Sequence, residues 1–155
     1  MKKAVVVDLD GSLVNVDSIL HHIVKDHPKN ETGKRDYKSF HQESINCPAN
    51  PTVMEYIEFK QAEGYTLVVV TGRSDEYKSH TVAWLEDNME IPYDGPYMRP
   101  SGDHRKATVV KKEILSSLEE KYDFHYAVED DPEVVSMLEE DGIEVKVVER
   151  TFIPS

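Results

Sequence analysis

The feature that most constrains this chain is a short apolar run, residues 4–7, followed directly by Asp8, Asp10 and Gly11. Small and β-branched apolar residues in an unbroken run predict a buried β-strand. Gly11 permits a sharp turn directly after this strand, and such a turn can bring the two carboxylates to one centre. Ligand sites in parallel α/β sheets lie beyond the carboxyl ends of strands. The segment therefore predicts a functional turn, although a plain Asp-Gly turn explains it when it is taken alone.

Strand-like and helix-like patterns alternate along the rest of the chain. Strands are predicted at about residues 3–8, 65–70, 95–98, 124–129 and 143–148. Helices are predicted from Val53 to Gly64, at about 75–88 and 106–121, and from Pro132 to Gly142. This alternation predicts an α/β fold, a doubly wound parallel five-stranded sheet with helices on both faces. The length of 155 residues suits a single domain, residues 1–155.

One long stretch, about residues 13–50, interrupts the alternation between the first and second strands. Its first part, up to Ile23, has the apolar spacing of a helix, whereas residues 28–51 are polar and poor in apolar side chains. Long loops in compact domains are often active-site lids, so a small lid inserted after strand 1 is predicted. Its histidines match no zinc-binding spacing, and a surface or lid role is predicted for His21, His22, His27 and His41.

The composition excludes several classes of protein. No apolar stretch reaches the roughly 20 residues of a membrane span, and the run after Met1 is a strand rather than the core of a signal peptide. The single cysteine, Cys47, excludes an internal disulfide framework. A cytoplasmic location without membrane contact is expected. The formal net charge of −12 argues against broad nucleic-acid binding, which needs a basic surface, and favours a site that recruits a divalent cation.

Two further segments carry groups that can bind a phosphate. Thr71 and Gly72 follow the second predicted strand, where a hydroxyl and closely approaching backbone N–H groups can contact phosphate oxygens. A lysine of the third helical pattern, Lys106, Lys111 or Lys112, can neutralise a phosphoryl group and keep a carboxylate ionised. Taken alone, the first segment is better explained as a strand-ending turn, and the lysines as a solvated helix face.

Acidic residues end the fourth predicted strand at Glu129, Asp130 and Asp131. Oxygen ligands of this kind suit a hard divalent cation, and they can converge with Asp8 if the two strand ends are neighbours. Helix capping is the alternative, since an aspartate before Pro132 is a favourable N-cap. Both can hold, with Asp131 capping the helix and Asp130 binding metal.

These four segments in this order resemble the haloacid dehalogenase (HAD) superfamily of phosphotransferases, and the resemblance covers the whole chain. Within it, residues 98–115 are similar to the 3′-phosphatase domain of bacteriophage polynucleotide kinase, which has an arginine, a Gly-Asp-x-Arg segment and a Val-Val-Lys helix start in this order. Here these are Arg99, residues 102–105 and residues 109–111. The chain departs from that domain at Ala107, where the phage enzyme is acidic, and in its longer insertion.

The resemblance implies a Mg²⁺-dependent phosphomonoester hydrolase that works through an aspartyl-phosphate intermediate. It implies Asp8 as the nucleophile and Asp10 as the general acid/base, and Thr71 and Lys111 complete the expected catalytic set. The expected substrate-binding residues are Gly72, Arg73, Arg99 and Arg105. The expected metal ligands are Asp8, Asp10, Glu129 and Asp130, with Asp130 favoured over Glu129 as the direct contact.

The finer resemblance implies removal of a 3′-phosphate from a polynucleotide end, and hence a role in DNA or RNA repair. No Gly-x-x-x-x-Gly-Lys-Ser/Thr phosphate loop occurs, so a kinase half is not expected. The alternative substrates are free nucleotides or another small phosphorylated metabolite, which the acidic surface favours. A non-catalytic partner protein with the HAD fold is the least favoured hypothesis, because an inactive relative has no chemical need of all the expected site residues.

Overall fold

A computed structural model describes residues 1–150 of the chain. Within these residues the strands are β1 (Lys2–Val7), β2 (Thr66–Ser74), β3 (Asp94–Arg99), β4 (Tyr122–Glu129) and β5 (Glu144–Val147). The α-helices are α1 (Tyr37–Glu43), α2 (Pro51–Ala62), α3 (Lys78–Asn88), α4 (Ala107–Ser117) and α5 (Pro132–Glu140). Short 3₁₀ helices cover Asp17–His22, Ser44–Asn46 and Asp75–Tyr77.

The strands form one parallel sheet in the order β3-β2-β1-β4-β5. Strand β1 lies at the centre, and its alternate residues serve the two faces: Val5 and Val7 pack into one hydrophobic layer, Ala4 and Val6 into the other. The chain adds β2 and β3 on one side of β1, then β4 and β5 on the other. The carboxyl ends of β1 and β4 therefore lie where the strand order reverses, which is the position that binds ligands in such sheets.

Helices cover both faces, as the sequence predicted, so the α/β fold class is confirmed. On one face α2 and α3 contribute Ile57 and Leu85, and on the other α4 and α5 contribute Leu115 and Leu138. Truncation of a leucine as buried as Leu85 to alanine costs about 2–5 kcal/mol, since a cavity replaces its contacts. In residues 1–150, no helix combines the length and the apolar content that a membrane span requires.

The segment between β1 and α2, residues 13–50, is hereafter the insertion. It contains a helix that the sequence did not predict: α1 begins after Asp36, whose carboxylate accepts hydrogen bonds from the backbone N–H and the hydroxyl of Ser39, at 3.0 and 2.6 Å. This helix buries only Phe40 and His41, so it leaves little periodic signal among polar residues. The helix predicted up to Ile23 is instead the 3₁₀ helix Asp17–His22.

The second difference concerns β2, which continues to Ser74, so that Thr71 and Gly72 lie within a strand rather than in a turn after it. Pairing with β3 places Thr71 opposite Met98 and Ser74 opposite Arg99, with a register shift between the two pairs. The neighbouring strand supplies these backbone partners, and local propensity cannot reveal them.

Candidate active site

Asp8 is the first residue beyond β1, and its buried carboxylate lines a cavity of about 580 Å³. The chain turns sharply after it: the backbone N–H of Ser12 donates to the carbonyl of Leu9 at 3.0 Å, and the Ser12 hydroxyl donates to Asp8 Oδ2 at 2.8 Å. Gly11 has φ +81°, and a Cβ there would lie 2.2 Å from Asp130 Oδ2. The turn and the close approach of Asp130 both require glycine.

Lys111, on α4, bridges two carboxylates. Its Nζ lies 2.8 Å from Asp8 Oδ1 and 2.7 Å from Glu129 Oε1, and all three side chains are buried. Burial lowers the pKa of Lys111, but the two carboxylates raise it further, so the ammonium stays charged. Burial likewise raises the pKa of Asp8, while the charge of Lys111 and hydrogen bonds from Asp130, Lys111 and Ser12 bring it below its usual value. Asp8 is therefore ionised at neutral pH, the state in which a carboxylate is nucleophilic.

Three buried carboxylates cluster at the ends of β1 and β4. Asp8, Glu129 and Asp130 each offer an oxygen within 4.8 Å of the others. Burial and the charge of Asp8 raise the pKa of Asp130 to about 9 and that of Glu129 to about 7. Like charges this close disfavour full ionisation, and a divalent cation among them removes the repulsion. An all-oxygen donor set of this kind fits Mg²⁺.

The oxygens of Glu129 already have partners within the protein. Oε1 accepts from Lys111, and Oε2 accepts from the backbone N–H groups of Asp130 and Asp131, both at 3.1 Å. Glu129 therefore orients the lysine, and together with Asp8 and Asp130 it forms the cluster that could hold a cation.

Two further side chains flank this cluster. Asp131 caps α5, accepting a hydrogen bond from the backbone N–H of Glu133 at 3.0 Å, as the helix-capping interpretation predicted. Arg150 donates from Nε to Asp130 Oδ2 at 2.9 Å. This arginine, beyond β5, is a functional-site neighbour that sequence reasoning missed, because it belongs to no motif and lies far from Asp130 in the chain.

Asp10 lies across the turn from Asp8 and pairs with Arg73. Arg73 donates from Nε to Asp10 Oδ2 at 2.9 Å and from Nη2 to Asp10 Oδ1 at 2.5 Å. The remaining nitrogen, Nη1, donates to the hydroxyl of Thr81 on α3 at 3.0 Å. The structure thus does not bring the carboxylate of Asp10, an expected metal ligand, into the acidic cluster, which joins Asp8, Glu129 and Asp130. The guanidinium of Arg73, expected to contact substrate, contacts Asp10 and Thr81 in this arrangement.

The end of β2 contributes Thr71 and Gly72 to the same cavity. Thr71 is buried, and its hydroxyl accepts a hydrogen bond from the backbone N–H of Arg73 at 3.1 Å. Arg99 donates from Nε to the carbonyl of Gly72 at 2.8 Å and from Nη1 to the carbonyl of Asp103 at 3.1 Å. Arg99 therefore lines the cavity and also joins the end of β2 to the loop after β3.

Arg105 and Lys106 lie in that loop. Arg105 lines the rim of the cavity and is exposed. Its guanidinium pairs with Asp103 at 2.8 Å and with Glu113 at 2.6 Å. Lys106 is exposed at the start of α4, whereas Lys111, five residues further along, contacts Asp8. Of the lysines considered from the sequence, the structure thus brings Lys111 to the acidic cluster.

A central sheet with this strand order, ending in buried aspartates beside a lysine, defines a phosphatase of the HAD type. The chain belongs to the family described as the polynucleotide kinase PNKP phosphatase domain, whose model matches residues 2–151.

Solved structures agree with this assignment. A chain in the structure of the Pnkp1/Rnl/Hen1 complex is 25% identical, with a TM-score of 0.76, and the match covers 99% of this chain and 48% of that one. A chain in the structure of the Pnkp1/Rnl/Hen1 RNA repair complex is 26% identical, with a TM-score of 0.75, over 98% of this chain and 44% of that one. This chain thus spans less than half the length of either.

A more distant match shares the fold alone. The class C acid phosphatase from Bacillus anthracis, with tungstate bound, is 15% identical, with a TM-score of 0.66, over 98% of this chain and 68% of that one.

Proposed function

We propose that this chain is a Mg²⁺-dependent 3′-phosphatase of polynucleotide ends that works through an aspartyl-phosphate on Asp8. The observation that carries the proposal is the state of Asp8: a buried carboxylate, open to a cavity, kept ionised by Lys111 and oriented by Ser12. Burial beside two other acids destabilises a carboxylate, so such a position is favoured only where the carboxylate has a catalytic use. Membership of the family supports phosphoryl chemistry at this position.

In the first step an oxygen of Asp8 attacks phosphorus, and the bond between phosphorus and the 3′-oxygen of the leaving strand breaks. Asp10 gives its proton to that oxygen, so the strand leaves with a 3′-hydroxyl. In the second step Asp10 takes a proton from water, whose oxygen attacks phosphorus. The bond to Asp8 then breaks and inorganic phosphate leaves.

Arg73 positions Asp10 for this exchange. In the structure both Asp10 oxygens accept from the guanidinium, which is the arrangement of an ionised carboxylate. Proton donation requires a protonated Asp10, so we expect one of the two hydrogen bonds to open when the substrate phosphate enters. Thr81 holds the other side of Arg73 and keeps it close to Asp10.

The chain's other groups stabilise charge. The Lys111 ammonium and the Thr71 hydroxyl face the position of the phosphoryl oxygens in this scheme, where negative charge develops. Asp8 and Asp130 would hold Mg²⁺, and the bound cation supplies positive charge that offsets the phosphoryl oxygens and the carboxylates. Glu129 contributes by fixing Lys111 rather than by contacting the substrate.

The polynucleotide end is favoured over other phosphomonoesters by two observations. The family is that of a polynucleotide kinase phosphatase domain, and similar chains occur in the Pnkp1/Rnl/Hen1 RNA repair complex. We infer a role in nucleic-acid repair in the cytoplasm, with residues 1–155 acting as one domain and the insertion serving as a lid beside the cavity. Arg99 and Arg105 border the path along which the strand would leave.

Free nucleotides form the second candidate class. The formal net charge of −12 favours a small substrate over a long polyanion, because few basic residues are available to displace counterions.

The deciding experiment compares phosphate release from 3′-phosphorylated oligonucleotides, 5′-phosphorylated oligonucleotides and free 3′-nucleotides at equal concentration, with Mg²⁺ present. The proposal predicts the highest kcat/KM for the 3′-phosphorylated oligonucleotide. A free 3′-nucleotide that is hydrolysed far faster than any oligonucleotide would replace it with the nucleotidase.

A further inference from the structure

Three rings form a continuous strip along one wall of the cavity that contains Asp8. Tyr37 and His41 stack with 6.2 Å between ring centroids and an interplanar angle of 27°. His41 and Tyr77 follow with a centroid distance of 4.6 Å and an angle of 39°. All three line the cavity, and we call them the aromatic strip.

The strip results from the way two elements meet. Tyr37 and His41 are four residues apart on α1, so both rings lie on one face of that helix. Tyr77 ends the 3₁₀ helix after β2 and approaches from the other side. Phe40, the neighbouring residue on α1, is buried in the core and packs edge-on against His41. The core therefore anchors the helix through Phe40, and the strip is left to face the cavity.

The outer ring is half-exposed. Tyr37 is 48% exposed, whereas Phe40 on the same helix is buried in the core. Apolar side chains of the insertion, Val16, Leu20 and Ile23, line the same cavity. An apolar, partly open wall with stacked rings suits a flat ligand that can bury its faces.

The inner ring, His41, lines the same cavity as Asp10 and Arg73, the pair proposed to handle the leaving oxygen. Burial, the first cause, lowers the pKa of His41 to about 4, so its imidazole is neutral at physiological pH. A neutral imidazole stacks as an aromatic ring and adds no charge for the phosphate to pair with.

We propose that the aromatic strip binds the terminal, unpaired base of a 3′-phosphorylated strand by stacking, and so makes the enzyme selective for single-stranded or frayed ends. This inference rests on the proposed function of Asp8. It names the feature of the substrate that the same cavity recognises, which is the unpaired terminal base. Stacking also compensates for the acidic surface, because it holds a nucleic-acid end without contacts to many phosphates.

The test uses two oligonucleotides that differ in one group: one ends in an ordinary nucleoside 3′-phosphate, the other in an abasic tetrahydrofuran 3′-phosphate. For the unaltered chain, kcat/KM for the first should exceed that for the second by roughly 5- to 150-fold, the range expected for one base on an aromatic side chain. Tyr37→Ala should lower this preference at least several-fold, mainly through KM, and Tyr37→Phe should keep it.

Phe59→Ala is the matched control, since Phe59 is a 63% exposed aromatic on α2 that lies outside the cavity. It should leave the preference unchanged. A second readout avoids turnover: the fluorescence of a terminal 2-aminopurine 3′-phosphate should be quenched on binding to Asp8→Asn, and less so when Tyr37→Ala is added.

Equal rates on the base-bearing and abasic ends, or an undiminished preference in Tyr37→Ala, would overturn the stacking proposal while leaving the 3′-phosphatase in place. Equally fast hydrolysis of a 3′-phosphate in a blunt, fully paired end would overturn the selectivity for unpaired ends. Failure to hydrolyse either oligonucleotide, with hydrolysis of free nucleotides, would instead contradict the proposed function itself.

Discussion

Lys111 and Asp8 form a buried ion pair, with 2.8 Å between Nζ and Oδ1, although 103 residues separate them in the chain. The pair joins α4 to the carboxyl end of β1, and Glu129 completes it from β4. One ammonium thus ties together three elements at the reversal point of the sheet. The same contact keeps Asp8 ionised, so the fold and the proposed chemistry depend on one lysine.

Lys111→Met tests this dependence. The substitution keeps the apolar length but leaves Asp8 and Glu129 buried without a positive charge, so we expect a loss of about 3–5 kcal/mol in the free energy of unfolding. Turnover should fall by about 10²-fold or more, because charge stabilisation at the phosphoryl group is also removed. Urea denaturation and phosphate release measure the two effects. Lys112→Met, at an exposed neighbour, is the control, and equal losses in both variants would contradict a special role for Lys111.

The two aspartates of the first motif should differ in their effects. Asp8→Asn should abolish turnover, since an amide does not form the acyl-phosphate. Asp10→Asn should lower the rate by about 10²–10⁴-fold, the usual span of general acid/base catalysis. Acid quenching during turnover should trap a phosphorylated protein with the unaltered chain and none with Asp8→Asn. Near-normal turnover of Asp8→Asn would rule out the aspartyl-phosphate.

Gly11→Ala tests the close approach to Asp130. A Cβ at Gly11 would lie 2.2 Å from Asp130 Oδ2, so the carboxylate must move and Mg²⁺ binding should weaken. Gly142→Ala is a matched control, because Gly142 has φ +79° against +81° at Gly11 but no atom within 4 Å of its added Cβ. Both variants should lose stability through backbone strain. Only Gly11→Ala should need more Mg²⁺ for half-maximal activity and for thermal stabilisation, and identical Mg²⁺ titrations would refute the contact's role.

Removal of metal should stop the reaction. Excess chelator should abolish phosphate release from the unaltered chain, and added Mg²⁺ should restore it. Asp130→Asn should show weak Mg²⁺ binding by calorimetry, because a hard cation loses a charged ligand. Asp131→Asn is the comparison, since its side chain caps α5 and an asparagine also caps. Full activity in excess chelator would contradict the metal assignment.

His41 should make stability depend on pH. Its pKa lies at about 4 in the folded chain, against 6.5 for an unperturbed histidine, so between these values the unfolded chain binds a proton that the folded chain does not. The free energy of unfolding therefore falls as pH decreases from 6.5 to 4, by about 3 kcal/mol at the lower limit. His41→Gln should flatten this part of the stability curve measured by urea denaturation. His104→Gln, at an exposed histidine, should not change it, and parallel curves for all three proteins would contradict the prediction.

Much of the site's position was predictable from local pattern. The apolar residues before Asp8 and before Glu129 predict buried strands, and parallel strands place their carboxyl ends at one edge of the sheet, so the acidic residues were expected at that edge. That β1 and β4 are neighbours there is a result of the tertiary structure. The helical spacing around Lys111 likewise indicated a helix with one buried face, but not which lysine turns inward. The roles of these residues in catalysis stay predictions.

Other features of the site could not be predicted from the sequence. The pairing of Asp10 with Arg73 crosses 63 residues and depends on β1 and β2 being neighbours in the sheet. Helix α1 went unpredicted because only Phe40 and His41 of it are buried. The aromatic strip was equally hidden, since Tyr77 joins Tyr37 and His41 only when β2 brings it to the insertion.

By itself, the sequence determined the α/β class, the parallel sheet and the strand ends at which the acidic residues lie. These features are local, because the strand-like and helix-like spacing of apolar residues and the glycine turns each involve only a few neighbouring residues. Only the tertiary structure decided which charges neutralise one another. Buried charges are stable only with partners a few ångströms away, and the partners of Asp8, Asp10 and Asp130 come from distant segments whose approach depends on the packing of the whole sheet.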